Sequence, residues 1–314
     1  SNICAALLRD GDQVRVVDDL SSGYRSNLKS LDGVELIEGD VRDADLMMRA
    51  AEGCEVVFHL AASVGNKRSI DNPVEDAQIN ALGTVRVLEA ARAAGARKVV
   101  VSSSAGIYGE LKPLPIAEDH PLEPLTPYGV SKLFSEKQAL AYAHVYGMEA
   151  ICLRYFNASG CDPEGETGER HVPETHVIPL ILRGVMEPDY TFTINGQDFE
   201  TPDGTCVRDY IHVEDLAAAH VAAGELLMEE AGLHVFNLGT GVGTSVIELV
   251  DAVERATSRK PNVHMGPRRE GDPPALVAAY DKIEQRLGWT PRHSQIDRIV
   301  ASAVAWHRSR SDKI

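Results

Sequence analysis

Lys98-Val99-Val100-Val101-Ser102-Ser103-Ser104 is the stretch that decides the fold. The run Lys98–Ser102 predicts a strand covered on both faces, because its apolar residues do not alternate with polar ones. Three hydroxyls follow at its carboxyl end, where ligands of open α/β sheets sit. Upstream, Glu55–His59 reads as another strand. A helix over about Val74–Ala94 follows it, with apolar Ile79, Leu82, Val85 and Leu88 near helical spacing and Gly95 as its stop. Downstream, Pro127–Tyr146 reads as a helix and Ala150–Arg154 as a strand. Toward the amino terminus, helix Asn2–Arg9 ends at Gly11. Strands Gln13–Val17 and Val34–Ile37 and a helix near Ala44–Ala51 come next. This alternation predicts an α/β fold built on a doubly wound parallel sheet.

After about Asn157 the texture changes. Residues 158–173 are rich in Gly, Pro and Glu and read as a loop. Helices are expected at about 175–186, 213–230, 244–258 and 295–308, with short strands between. Segments such as Val235–Leu238 are candidates to return to the first sheet.

Composition bounds the function. The chain has 314 residues, 44% of them hydrophobic, enough for one large domain or two ordinary ones. With 31 basic and 47 acidic residues its net charge is −16, which argues against general nucleic-acid binding but leaves room for a local basic pocket. No apolar run reaches the length of a membrane span, and the first residues lack the basic region of a signal peptide, so a cytoplasmic location is expected. Five cysteines without a C-x-x-C pair suit neither a disulfide framework nor a zinc site. The eleven histidines show no metal spacing in sequence, no G-x-S-x-G elbow is present, and no metal is expected.

Strand Gln13–Val17 ends in Asp18-Asp19. In a dinucleotide fold an acidic residue there binds the adenosine ribose, with a glycine-rich turn about 20 residues earlier. Counting back passes residue 1, so the sequence is expected to start inside the first helix; the other reading makes Asp18 an ordinary strand-end carboxylate. Tyr128-Gly129-Val130-Ser131-Lys132 opens the helix after the serine strand. Its Tyr and Lys share one helical face. A free phenol has a pKa of about 10, and a nearby ammonium favours its ionised form. The pair is therefore a candidate acid and base for a sugar hydroxyl, with a serine opposite to position the reacting oxygen.

These residues, with Asp18–Gly23, Gly39–Asp43, His59–Ala62 and Asn80–Thr84, resemble the extended short-chain dehydrogenase/reductase superfamily, the NAD-dependent epimerases and dehydratases of nucleotide sugars. The second half, through Arg154–Asn157, Thr201–His212, Asn237–Gly241 and Arg268-Arg269-Glu270-Gly271-Asp272, resembles the UDP-glucose 4-epimerase branch. The resemblance covers nearly the whole chain. It implies a Rossmann-like NAD-binding part over 1–157. A smaller α/β part over 158–314 mainly binds substrate, with some segments returning to the first sheet. It also implies a first strand and glycine turn just before residue 1.

The resemblance carries roles to individual residues. Ser104, Tyr128 and Lys132 match the catalytic set. Asp18 matches the ribose carboxylate and favours NAD over NADP, with Asp19, Ser22 and Gly23 around it. Asp40 and Val41 match adenine contacts, and Leu60, Ala61 and Ala62 the wall along the cofactor phosphates. Asn80, Ser102, Tyr155 and Phe156 match further cofactor neighbours; Asn80 also reads as a helix-surface amide, and Tyr155-Phe156 as core. On the substrate side Arg208 and Arg269 match diphosphate-binding arginines, although each alone also reads as a surface ion pair. Asn157, His176, Val177 and Asp272 match nucleotide contacts, while Asp203 and Asp209 read as loop-ordering carboxylates. Leu276 stands where side-chain size sets the sugar pocket, and also reads as core packing.

Two departures bear on the sugar. Val64 stands where such epimerases carry a lysine, the nearest here being Lys67, and Ala105–Gly109 looks like epimerases of broader specificity. No Asp-Glu pair follows the serine strand, which weakens a dehydratase reading. Conversion of UDP-galactose to UDP-glucose is expected, with another nucleotide-sugar epimerase (UDP-N-acetylglucosamine or UDP-glucuronate) or a non-catalytic nucleotide binder of the same fold as alternatives. The helices near Val74–Ala94 and Pro127–Tyr146 match those that pair across the family's homodimer.

Overall fold

The computed structural model describes residues 1–96, 98–109, 113–229, 232–269 and 272–311. Helix α1 (Asn2–Arg9) leads into β1 (Arg15–Asp18), which pairs in parallel with β2 (Glu35–Glu38). Helix α2 (Ala44–Ala51) starts at Asp43, whose carboxylate accepts from Leu46 N and satisfies one of the free amides of the first turn. Then come β3 (Val56–His59), α3 (Asn66–Asp71), α4 (Pro73–Asp76) and α5 (Gly83–Ala94), the last stopped by Gly95 in the left-handed region.

One helix over about 74–94 is not what forms. A π-helical segment, Ala77–Leu82, separates α4 from α5. The wider turn carries Asn80 inward, where it is buried and clasps the backbone of Ser63: Ser63 N donates to its Oδ1 at 2.7 Å, and its Nδ2 donates to Ser63 O at 3.0 Å. Val74 and Leu82 are left exposed, so the apolar residues of this stretch do not mark a single buried face.

Strand β4 (Lys98–Ser104) runs on through the serines, two residues beyond the predicted end. Its side chains alternate between two buried layers. Val99 and Val101 pack with Leu88, Ala139 and Cys152, while Val100 packs with Ile151, Leu153, Ala219 and Phe236. Burial on both faces explains the unbroken apolar run. Helix α6 (Pro127–Tyr146) and β5 (Glu149–Tyr155) follow.

The remaining elements are β6 (Asn157–Ser159), α7 (Val177–Met186), β7 (Phe192–Asn195), β8 (Val207–His212), α8 (Val213–Glu229), β9 (Leu233–Leu238), β10 (Gly243–Ser245), α9 (Val246–Thr257), β11 (Val263–Gly266), β12 (Ala275–Leu276), α10 (Asp281–Leu287) and α11 (Ile296–Ser311). The main sheet has the order β3-β4-β5-β9, all parallel, with Cys152 opposite Val235. β1 and β2 form a separate pair, and among the described residues no pairing joins β1 to β3. A second sheet centres on β8, flanked by β10 and β12, with β6 also paired to it; β7 pairs with β11. A further core joins Ile181, Leu182, Leu249, Val253, Ile299 and Trp306 from α7, α9 and α11. Among the described residues no helix is long and apolar enough to cross a membrane.

Candidate active site

The end of β4 and the start of α6 form the centre of the site. Thr126 caps α6, its hydroxyl accepting from Gly129 N at 3.2 Å, and Pro127 occupies the first turn, where a missing N–H is harmless. Ser104 caps a single turn, Ala105–Ile107, with its Oγ accepting from Gly106 N at 3.1 Å. The two turns touch: a Cβ on Gly129 would lie 2.5 Å from the Gly106 carbonyl oxygen, so only glycine fits there. This contact brings the Tyr128 ring beside Ser104: a Cβ on Gly106 would lie 3.4 Å from Ser104 Oγ and 3.8 Å from Tyr128 Cδ1.

Burial pushes Tyr128 up to about 12; the Ser104 hydroxyl opposes this, and the charge of Asp76 adds to it. Burial pulls Lys132 down to about 8, against the charge of Asp76. The ammonium was expected to favour the phenolate. Instead Lys132 Nζ donates to the Ser102 carbonyl and hydroxyl, and the strand end draws it away from the phenol. At neutral pH this arrangement holds a neutral phenol beside a serine hydroxyl, a pair able to give and take a proton.

Asp76 carries no motif and escaped the sequence reading. It is 1% exposed and accepts from Asn80 Nδ2 at 3.0 Å; the same amide nitrogen donates to Ser131 Oγ at 3.1 Å, on the neighbour of Lys132. Its only signal was an acidic residue inside a stretch read as an apolar-faced helix.

Toward β1, Asp18 Oδ1 accepts from Leu20 N at 2.7 Å. The loop folds over this carboxylate so closely that a Cβ on Gly23 would meet Oδ1 at 3.3 Å. Asp19 binds the amide and hydroxyl of Ser21, and Ser22 is exposed. Asp40 is engaged by Arg42, which holds its carboxyl below the ordinary range, and the Val41 side chain lies in the core. Leu60 is exposed beyond β3, with Ala61 and Ala62 half-buried beside it. Phe156 packs in the core with Ile107 and Ile116, and the Tyr155 hydroxyl bonds His220. The Asp18 carboxylate with its close-packed loop fits a ribose diol, the group that an NAD adenosine presents.

On the second sheet Arg208 Nη1 donates to the carbonyls of Val207 and Pro273, both at 2.9 Å, and Nη2 lies 3.8 Å from Asp272 Oδ1. Burial raises the Cys206 thiol, and the charges of Arg208, Asp272 and Arg269 act on it. Arg269 is exposed, and its neighbours Glu270 and Gly271 lie outside the described residues. Leu276 pairs with Arg208 in the β8–β12 register and packs against the core that holds Phe156. Asn157 Nδ2 donates to Asp209 O at 3.0 Å. His176 stands before α7, with Val177 opening it. Burial disfavours its charge, but hydrogen bonds to Glu169 and Glu174 outweigh burial and push it up to about 10. Asp209 gathers the amides of Thr240, Gly241 and Ala278, and Asp203 that of Thr205, so both order loops.

Behind the site lies a buried network that the sequence did not disclose. Arg154 makes a bidentate pair with Glu136, at 2.9 and 2.8 Å, and Nη1 donates to Tyr108 Oη at 2.7 Å. Tyr108 in turn donates to Asn237 Oδ1 at 2.7 Å. β5, α6, the turn after β4 and β9 are thereby tied together.

Comparison with known proteins agrees with this geometry. The NAD dependent epimerase/dehydratase family matches residues 1–239. A UDP-glucose 4-epimerase of Azospirillum brasilense is 39% identical over 316 aligned residues, covering 100% of this chain and 90% of the relative. The crystal structure of UDP-glucose 4-epimerase from Brucella ovis in complex with NAD is 40% identical with a TM-score of 0.90, covering 97% of this chain and 94% of that one. The Bifidobacterium longum UDP-glucose 4-epimerase, in complex with NAD+ and UDP, is 33% identical with a TM-score of 0.94, covering 100% and 96%. The chain belongs to the NAD dependent epimerase/dehydratase family.

Proposed function

We propose that this protein interconverts UDP-galactose and UDP-glucose through a 4-keto sugar. The observation that carries the reading is the placement of Ser104 beside the Tyr128 ring at the end of β4, with Lys132 anchored to Ser102. The names of the relatives and the ligands of the solved structures support it. Asp18 would hold the adenosine ribose of NAD, and its negative charge disfavours the 2′-phosphate of NADP. When bound, NAD supplies a reversible hydride acceptor and a positive ring that favours the phenolate. Tyr128 takes the proton of the sugar 4-hydroxyl and later returns it, and Ser104 positions that oxygen. Arg208 and Arg269 hold the diphosphate, for which guanidinium offers paired donors, while the sugar turns. Residues 1–157 form the cofactor part and 158–314 mainly the substrate part. Incubation with UDP-galactose tests the reading: UDP-glucose should accumulate to a fixed ratio, and no conversion with NAD present would overturn it.

The same reading extends to assembly as a homodimer, in the cytoplasm. Val74, Leu82, Val130, Phe134 and Val145 are exposed on α4, the π-helical segment and α6, apolar surface that a second copy of the chain would cover. Light scattering at micromolar concentration checks it: a dimer mass is expected, and a monomer mass would refute it.

A further inference from the structure

The loop between β6 and α7 carries Glu169-Arg170-His171-Val172-Pro173-Glu174-Thr175-His176. Its four ionisable side chains other than Arg170 converge. His176 Nδ1 lies 2.7 Å from Glu169 Oε1 and 2.9 Å from Glu174 Oε1. His171 Nδ1 lies 3.6 Å from Glu169 Oε1 and 3.7 Å from Glu174 Oε2. One ligand atom from each residue can be chosen so that all four lie within 4.8 Å of one another. A tetrahedral ion with nitrogen and oxygen ligands at about 2.0–2.1 Å has its donors about 3.3 Å apart, and the four separations bracket that length. We propose that Glu169, His171, Glu174 and His176 bind one divalent transition-metal ion of the zinc class.

The donor set suits such an ion. Two carboxylates neutralise its charge, and two neutral imidazoles provide the borderline ligands that zinc, cobalt and nickel prefer over magnesium or calcium. The carboxylates are mostly buried, at 18% and 11% exposure, while both imidazoles are 41% exposed, which leaves an entry path. Surrounding bonds hold the ligands in place. Glu174 Oε1 accepts from Thr175 N and His176 N, both at 2.8 Å. Trp306 Nε1 on α11 donates to Glu169 O at 3.3 Å. Such outer partners orient metal ligands. Sequence spacing hid the set, because none of the familiar zinc patterns places four ligands within one short loop in the order Glu, His, Glu, His. Without metal the cluster is held by His176 Nδ1 lying between the two glutamates. With metal the ion takes that central place, and the loop is fastened to the start of α7.

Cobalt(II) distinguishes the two states. The protein, treated with chelator and desalted, is titrated with Co²⁺ and followed by visible absorption. Intense d–d bands of four-coordinate cobalt, saturating at one equivalent and bleached by Zn²⁺, are expected. His171→Ala, at an exposed position outside the proposed catalytic and substrate contacts, should weaken binding by at least about 10-fold, since loss of even an outer partner costs about 10–100-fold. Zn²⁺ should raise the melting temperature of the native chain and not of His171→Ala, whose circular dichroism should be unchanged. Absence of the bands, a thiolate charge-transfer band pointing to cysteine, or equal saturation of both proteins would overturn the proposal.

Discussion

Lys132 Nζ lies 3.2 Å from Ser102 Oγ, while the centroid of the Tyr128 ring is 6.0 Å from the same nitrogen. The lysine and the tyrosine share a helical face, yet only the serine side of the site binds the ammonium. In the proposed reaction, proton transfer would therefore run through the hydroxyls of Ser104 and Tyr128, with Lys132 acting through charge at a distance.

Tyr128→Phe keeps the ring and removes the ionisable oxygen. NAD should still bind, and turnover should fall on the order of 10²–10⁴-fold, the contribution of a positioned acid–base group. Steady-state rates on UDP-galactose check this. Near-full activity would refute the role.

Asp76→Asn keeps the shape of the buried carboxyl and removes its charge. That charge raises both Tyr128 and Lys132, so the substitution should lower both. The charged groups that act on Asp76 itself are Lys132 and Arg68. His59, whose imidazole burial holds at about 3, stays neutral in either variant. The limb on which activity rises with pH should move to lower pH by roughly half to one unit. An unmoved limb would leave Asp76 a packing role only.

Lys132→Met should cost activity and gain stability. The lysine titrates near 8 in the folded chain against 10.5 when free, because burial penalises its charge. Between those values the unfolded chain binds more protons, so native stability rises with pH through this window and is lost again as pH falls through 8. Methionine abolishes that dependence. Unfolding by urea at pH 7 and pH 9.5 should show a smaller rise for Lys132→Met than for the native chain. Equal rises would show that burial does not depress the lysine.

Leu276→Tyr should act on the sugar. An acetamido group needs volume that the ring would occupy. Conversion of UDP-N-acetylgalactosamine should therefore fall more than that of UDP-galactose. Equal loss on both substrates would make Leu276 core packing, in line with its contact with the Phe156 cluster.

Much of this architecture was legible in the residues. Asn2–Arg9, Ala44–Ala51 and Pro127–Tyr146 read correctly, and glycines in the left-handed region, Gly11, Gly53 and Gly147, stand just beyond their ends. The serine strand read correctly because burial on both faces leaves a continuous apolar run. The π-helical segment did not, since apolar spacing near the helical period looks the same whether or not a turn is widened. Asp76 and the Arg154–Glu136 pair were hidden for another reason. A buried charge gains its meaning from partners distant in sequence, and no local pattern marks it. Glu169 to Pro173 were read as the end of a loop and His176 as part of the helix that follows, so the convergence of their side chains went unseen.

Arg154 and Glu136 are 5% and 7% exposed. Removing one partner strands the other charge in the interior, a loss of about 3–5 kcal/mol. Replacing both by apolar residues is milder, but Tyr108 and Asn237 would then need rewiring. Mutational drift at 136 and 154 must consequently pass through a crippled intermediate. Random libraries built on this chain should retain the two positions together or lose both, a joint inheritance that neither residue would show by itself.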